Sequence, residues 1–231
     1  MLNQFLWGIL PYIVLTLFIG GHVYRYQHDQ FGWSSKSSEF LEKKRLRIGS
    51  LMFHWGMFFV LAGHGMGILI PVDFYEAIGV SESLYHKMAV GFGIPAGIAA
   101  IIGLILLSHR RLSVTRILMT STKSDILVLV LFAVIMLSGL ISTFFNIESH
   151  GFDYRATIGP WFRSILLLQV NPEYMTDVPI RLKVHILSAY GIFAVWPFTR
   201  LVHVFSLPLW YLQRSYVVYR RRRPEDHLTN H

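Results

Sequence analysis

The sequence predicts an all-α integral membrane protein with five transmembrane helices, on three observations. Of 231 residues, 53% are hydrophobic and only 15% are charged, where a soluble domain carries about a quarter charged. Mean hydropathy is positive, at +0.47. The charges are bunched between five apolar runs, at 5–23, 49–70, 88–108, 126–146 and 184–206. Each run is near the roughly 20 residues that a helix needs to cross the hydrocarbon layer. No polar stretch is long enough to build a separate core, so 1–231 reads as a single membrane domain.

The first run lacks a basic segment before it and is long, which reads as a retained span and not a signal peptide. The second lies in a stretch, Ile48 to Val72, without Asp, Glu, Lys or Arg. The third and fourth runs hold no charged residue. The fifth is interrupted by Arg200, which can snorkel to the interface, and Pro197 predicts a kink within it. Between the fourth and fifth, Ile158 to Val170 reads in two ways. It is a short helix in the interface with Trp161 and Arg163 at headgroup level, or a loop covering a site.

Basic residues fix the orientation by the positive-inside rule. Segment 24–48 holds six Lys and Arg, segment 109–125 holds four, and the tail after 206 holds five (Arg214 and Arg220 to Arg223). Segment 71–87 has Lys87 alone against Asp73, Glu76 and Glu82, and in 147–183 four basic residues balance four acidic ones. The N-terminus is expected outside and the C-terminus inside. The net charge of +8 thus marks topology, not nucleic-acid binding. The arginine run is a topology anchor, or a contact for anionic lipid or a partner. There are no cysteines, which excludes disulfides and cysteine-held clusters in this chain.

Four histidines sit in or beside apolar runs: His54 and His64 on the second, His185 and His203 on the fifth. A polar ring in hydrocarbon is costly without a partner. The runs are antiparallel, so depth pairs His54 with His203 near the inner face and His64 with His185 near the outer. Two neutral imidazoles can clamp one haem iron, giving a carrier closed to small molecules. Two b-type haems would make an electron path across the bilayer. Gly56, Gly63, Gly65 and Gly67, with Gly191 and Ser188 opposite, would let flat macrocycles approach the backbone. Arg200, one turn before His203, would neutralise a haem propionate. The spacings fit imperfectly: ten residues rise about 15 Å and eighteen about 27 Å, with the second-run rings about 80° apart. The plain alternative for any one of these histidines is a helix–helix hydrogen bond. His22, His28, His86, His109 and His150 read as interfacial or solvated, and His227 and His231 as tail residues.

At these residues the chain resembles the gamma subunit of respiratory nitrate reductase, a cytochrome b membrane subunit. The matching text is LMFHWGMFFVLAGHGMGILIP at 51–71, KMAVGFG at 87–93, RRL at 110–112 and RLKVHILSAYGIFAVWPFTRLVHVFSLPLWYL at 181–212. The specific elements are the ten- and eighteen-residue histidine intervals and the PF-x-RL-x-H motif from Pro197 to His203; region 147–180 is the least similar part. The resemblance implies five helices and two haem b, held by His64 with His185 and by His54 with His203 at these same intervals. It implies quinol oxidation beside the outer haem, with protons released outside. Electrons would pass to an iron–sulfur beta subunit and a molybdenum-containing alpha subunit that reduces nitrate in the cytoplasm; this chain does not itself bind nitrate. The quinol candidates are Gly63, His64, Tyr85, His86 and Lys87, although Lys87 equally marks the membrane boundary. His86 or Glu76 would pass protons outward. The expected location is a bacterial or archaeal cell membrane.

Two other readings stand beside this one. A di-haem, quinone-linked subunit of a sulfite- or heterodisulfide-type reductase would share the haem chemistry and differ in its cytoplasmic partner. A haem-free structural anchor or transporter would show no b-type absorption. Five spans do not divide evenly, and no internal repeat of the transporter kind is visible.

Overall fold

The computed structural model describes residues 1–146 and 152–206, and within them all regular structure is helical. The helices are α1 (Leu2–His28), α2 (Lys44–Leu69), α3 (Val72–Ala77), α4 (Glu82–Ser113), α5 (Thr115–Met119), α6 (Lys123–Phe144), α7 (Ile158–Leu166) and α8 (Ile180–Val195). Four of them, α1, α2, α4 and α6, are long and apolar enough to cross a membrane. All four start before their apolar windows, and α1 and α4 also run past the far end, because hydrogen bonding continues into polar, charged turns. Ser81 accepts from Leu84 N–H to start α4, and a capping box between Thr122 and Asp125 starts α6. Large apolar side chains such as Leu17, Phe58, Ile105 and Leu137 stay exposed on all four, as expected where the surroundings are lipid.

The expected fifth span is not one continuous helix. α8 stops at Val195, and two 3₁₀ turns, Trp196–Phe198 and Arg200–Ser206, follow it. Pro197 has no N–H to bond the carbonyl four residues back, and Thr199 is fully extended at φ −122° and ψ −179°. The kink foreseen at Pro197 is therefore a break. Arg25 of α1 answers it by donating to the carbonyls of Pro197 (2.7 Å) and Thr199 (2.8 Å).

α2 lies along α4, α4 meets α6, α6 meets α8, and α8 meets α1. The closest approach is between α2 and α4. A Cβ on Gly56 would stand 2.6 Å from the Ala100 nitrogen, and one on Gly103 would collide with the Phe53 backbone. Gly56 therefore serves helix packing, and the macrocycle-approach reading does not hold for it. Leu104, Phe132 and Ile192 form the core where α4, α6 and α8 meet.

A second core lies around Trp7, Trp161 and Met175. Pro11 cannot donate to the carbonyl of Trp7, and the indole N–H of Trp161 takes that acceptor at 2.9 Å. The two indoles meet edge to face at 5.8 Å. Segment 158–170 thus contains a helix, but one docked on the protein. Trp161 is only 2% exposed and Arg163 donates to the Ile68 carbonyl at 2.8 Å, so both side chains are engaged by the protein.

Candidate functional site

The structure brings together the two histidine pairs expected from depth. The ring centres of His54 and His203 are 6.2 Å apart with planes inclined by 71°. Those of His64 and His185 are 5.8 Å apart, inclined by 26°. With a metal–imidazole bond of about 2 Å, as for zinc, two rings on opposite sides of one metal have centres roughly 6 Å apart. Both pairs match that separation.

The hydrogen bonds set the same chemistry at every ring. Nδ1 lies 2.8 Å from the Ser50 carbonyl in His54, 2.7 Å from Val60 in His64, 2.9 Å from Ile135 in His185 and 2.6 Å from Arg200 in His203. A carbonyl only accepts, so Nδ1 carries the proton in each case. The lone pair is left on Nε2, the arrangement of a metal-binding imidazole with its second nitrogen anchored. Among the described residues no group of three or more His, Cys, Asp or Glu gathers to hold a metal. A metal shared by one of these pairs would take its remaining ligands from outside these side chains, as a macrocycle provides. The residues fit haem.

Space is available beside these rings. His54 and His64 are exposed while His185 and His203 are half-buried, and a Cβ on Gly63 or Gly65 would meet nothing within 4 Å. The interval mismatch arises from treating 184–206 as one helix. With α8 ended at Val195, the ring of His203 is freed from the register of His185.

Three residues on α6 were missed by sequence reasoning. The Ile135 carbonyl anchors His185, Ser138 Oγ lies 3.3 Å from the same Nδ1, and Gly139 leaves the space that the ring fills. A glycine and a serine in an apolar helix are a faint signal with no partner in sequence.

Arg200 pairs with Asp125, Nε to Oδ1 at 2.9 Å. Its two Nη atoms make longer contacts, 3.4 Å to the Lys36 carbonyl and 3.2 Å to that of Thr120. Asp125 is buried and also pairs with Arg111 at 3.2 Å. Sequence reasoning passed over this network, because Asp125 sits at a helix start where a cap explains it.

The five quinol candidates differ in exposure. Gly63, His64 and Lys87 are exposed and His86 is half-buried. Tyr85 turns inward: its hydroxyl is 3.5 Å from that of Tyr154, and the guanidinium of Arg155 lies 4.3 Å over its ring. Gly67 faces these hydroxyls, with a Cβ position 2.9 Å from Tyr85 and 3.0 Å from Tyr154, one turn beyond His64. The end of α2 is closed from the same side. Tyr75 donates to the Met66 carbonyl at 2.9 Å, and burial raises its phenol above the ordinary value so that it stays a donor. His22 is not solvated, because its ring lies among Phe18 (4.5 Å), Phe205 (4.9 Å) and Trp33 (5.9 Å). His150, Arg214, the run Arg220 to Arg223, His227 and His231 lie outside the described residues.

The family described as nitrate reductase gamma subunit matches residues 3–222. The chain is 62% identical over 222 residues to the nitrate reductase gamma chain of Bacillus subtilis, covering 96% of this chain and 100% of that protein. It is 32% identical over 223 residues to the respiratory nitrate reductase 1 gamma chain of Escherichia coli, covering 96% and 98%. The nitrate reductase-like protein NarX of Mycobacterium tuberculosis is 40% identical over 225 residues, which are 34% of its own length. With all four histidines paired in space and the match running through both pairs, the chain belongs to the nitrate reductase gamma subunit family.

Proposed function

We propose that this chain is the di-haem cytochrome b subunit that anchors a nitrate reductase in the cell membrane. It oxidises quinol near the outer face and delivers electrons to cytoplasmic iron–sulfur and molybdenum-containing subunits. The observation that carries this reading is the pairing of His54 with His203 and His64 with His185, all four Nδ1 atoms engaged by backbone carbonyls. Haem, when bound, supplies a one-electron carrier whose iron is closed to small molecules by the two rings. His64 and His185 hold the outer group, and His54 and His203 the inner one.

The fifth crossing consists of α8 and the turn beyond it. Sixteen α-helical residues rise about 24 Å, short of the roughly 30 Å core, and the seven of Arg200–Ser206 add about 14 Å. The basic loops put the N-terminus outside. The Nη atoms of Arg200, loosely held by two carbonyls, are offered to a propionate while Nε keeps Asp125.

Quinol needs an acceptor for each hydroxyl proton in a lipid-accessible cleft. Gly63, His64, Tyr85, His86 and Lys87 are proposed around it, with Glu76 or His86 passing protons outward. The names of the relatives from Bacillus and Escherichia favour nitrate reductase over a sulfite- or heterodisulfide-type complex. The test is a reduced-minus-oxidised spectrum of the purified complex with haem quantification. Two b-type haems per chain are expected, and a complex without b-type bands overturns the reading.

A further inference from the structure

His203 stands on a 3₁₀ turn beyond the end of α8, so its position depends on whatever ties that turn to the bundle. Arg25 holds the carbonyls of Pro197 and Thr199 just before it, and a second tie runs through one buried carboxylate. Asp125, 7% exposed, pairs with Nε of Arg200 at 2.9 Å. The carbonyl of Arg200 in turn accepts from Nδ1 of His203 at 2.6 Å. At its other end Asp125 is locked to the start of α6, where Oδ2 accepts from the Thr122 N–H at 2.8 Å and pairs with Arg111 at 3.2 Å. A carboxylate so far out of water is costly without countercharge. Here two guanidinium groups supply it. The cap alone explains neither the burial nor the reach of Arg200.

We infer that Asp125 is a positioning residue for His203: through Arg200 it fixes the turn whose carbonyl orients the inner imidazole. The inference rests on reading His203 as an axial ligand. The contacts of Asp125 are with Arg200, Arg111 and Thr122 and not with the ring, so it acts on the direction of Nε2 through Arg200.

The test is Asp125→Asn in the intact complex. Asparagine keeps an oxygen for the Thr122 N–H but loses the charge that holds Arg200 and Arg111. Thr122→Ala is the control, since it removes the cap hydroxyl and keeps the carboxylate. Arg200→Gln cuts the tie from the other end at a less buried site. Haem per chain, the low-spin spectrum of each oxidised haem and the two midpoint potentials are read. In Asp125→Asn and Arg200→Gln, one haem of the two is expected to shift its spectrum and potential or to fall severalfold in occupancy. The other stays put, Asp125→Glu recovers much of the effect, and Thr122→Ala changes neither haem. Both haems unchanged in Asp125→Asn, or both lost equally in Asp125→Asn and Thr122→Ala, would overturn the inference.

A haem-independent readout separates its failure from that of the ligand reading. The chain has no cysteine, and Val202 beside His203 is 0% exposed. Val202→Cys is expected to resist maleimide in an otherwise unaltered chain and to react severalfold faster once Asp125→Asn is added. Equal reactivity in the two backgrounds would sink the clamp. A wild-type complex lacking haem would instead sink the ligand reading and leave the labelling result to stand alone.

Discussion

Cε1 of His185 lies 2.8 Å from the place where a Cβ on Gly139 would stand, and its Nδ1 lies 3.1 Å from it. The ring cannot simply swing away, because Nδ1 is bonded to the Ile135 carbonyl at 2.9 Å. Gly139→Ala therefore displaces the outer imidazole while leaving it present. The expected result is about a tenfold loss of affinity at the outer pair, the lower end of the range for lost outer-shell support. Titrating haem into the depleted complex measures it, and an unchanged outer site would mean that α6 yields instead of the ring.

Removing a ring outright separates the two depths. His64→Ala or His185→Ala is expected to abolish the outer haem and with it quinol oxidation. His54→Ala or His203→Ala is expected to leave quinol binding intact while transfer to the cytoplasmic subunits falls. Haem counting and quinol-to-nitrate turnover check both. Retention of two haems at full occupancy in any of these variants contradicts the pairing.

The Trp7 carbonyl has lost its helical donor to Pro11 and depends on the indole of Trp161. Trp161→Phe leaves a buried acceptor unpaired, which costs about 1–3 kcal/mol. Pro11→Ala restores an N–H four residues along, so the cost of Trp161→Phe should shrink in that background. Unfolding midpoints of the four chains in one detergent measure the coupling. A cost that does not change with Pro11 assigns the effect to packing alone.

Before the start of α2, Glu42 pairs at 2.7 Å with Arg110, which is 4% exposed. The backbone N–H of Arg45 and then Arg110 hold the Glu42 carboxyl below its ordinary value of 4.5. A depressed folded value stabilises the chain above the unfolded pKa and loses that contribution as the pH falls through the folded one. Glu42→Gln is therefore expected to be less stable than wild type at neutral pH. The gap closes as the pH drops below about 4.5, the unfolded value. Thermal unfolding across pH 3 to 7 checks it, with a pH-independent gap as the contrary outcome.

The first four apolar runs and their bounds to within several residues were legible in the sequence because they depend on local composition. The pairing of His54 with His203 and of His64 with His185 was legible because antiparallel helices turn sequence position into depth. What escaped was set by partners distant along the chain. Pro197 announced a kink, but how far it would free His203 depended on Arg25 and Asp125, which bond Pro197, Thr199 and Arg200 from α1 and α6. Trp161 carried the composition of an interfacial anchor, and only the missing N–H of Pro11, 150 positions away, explains why it points inward. Gly56 and Gly63 look alike in sequence. One faces the backbone of α4 and the other open space.

The break after Val195 also has a consequence for how such a chain can vary. The turn that carries residue 203 is tied to side chains of α1 and α6, so a change of pitch or rotation in α8 bears more directly on His185 than on His203. If the pairs hold the proposed haems, their two potentials are open to separate adjustment by unrelated substitutions.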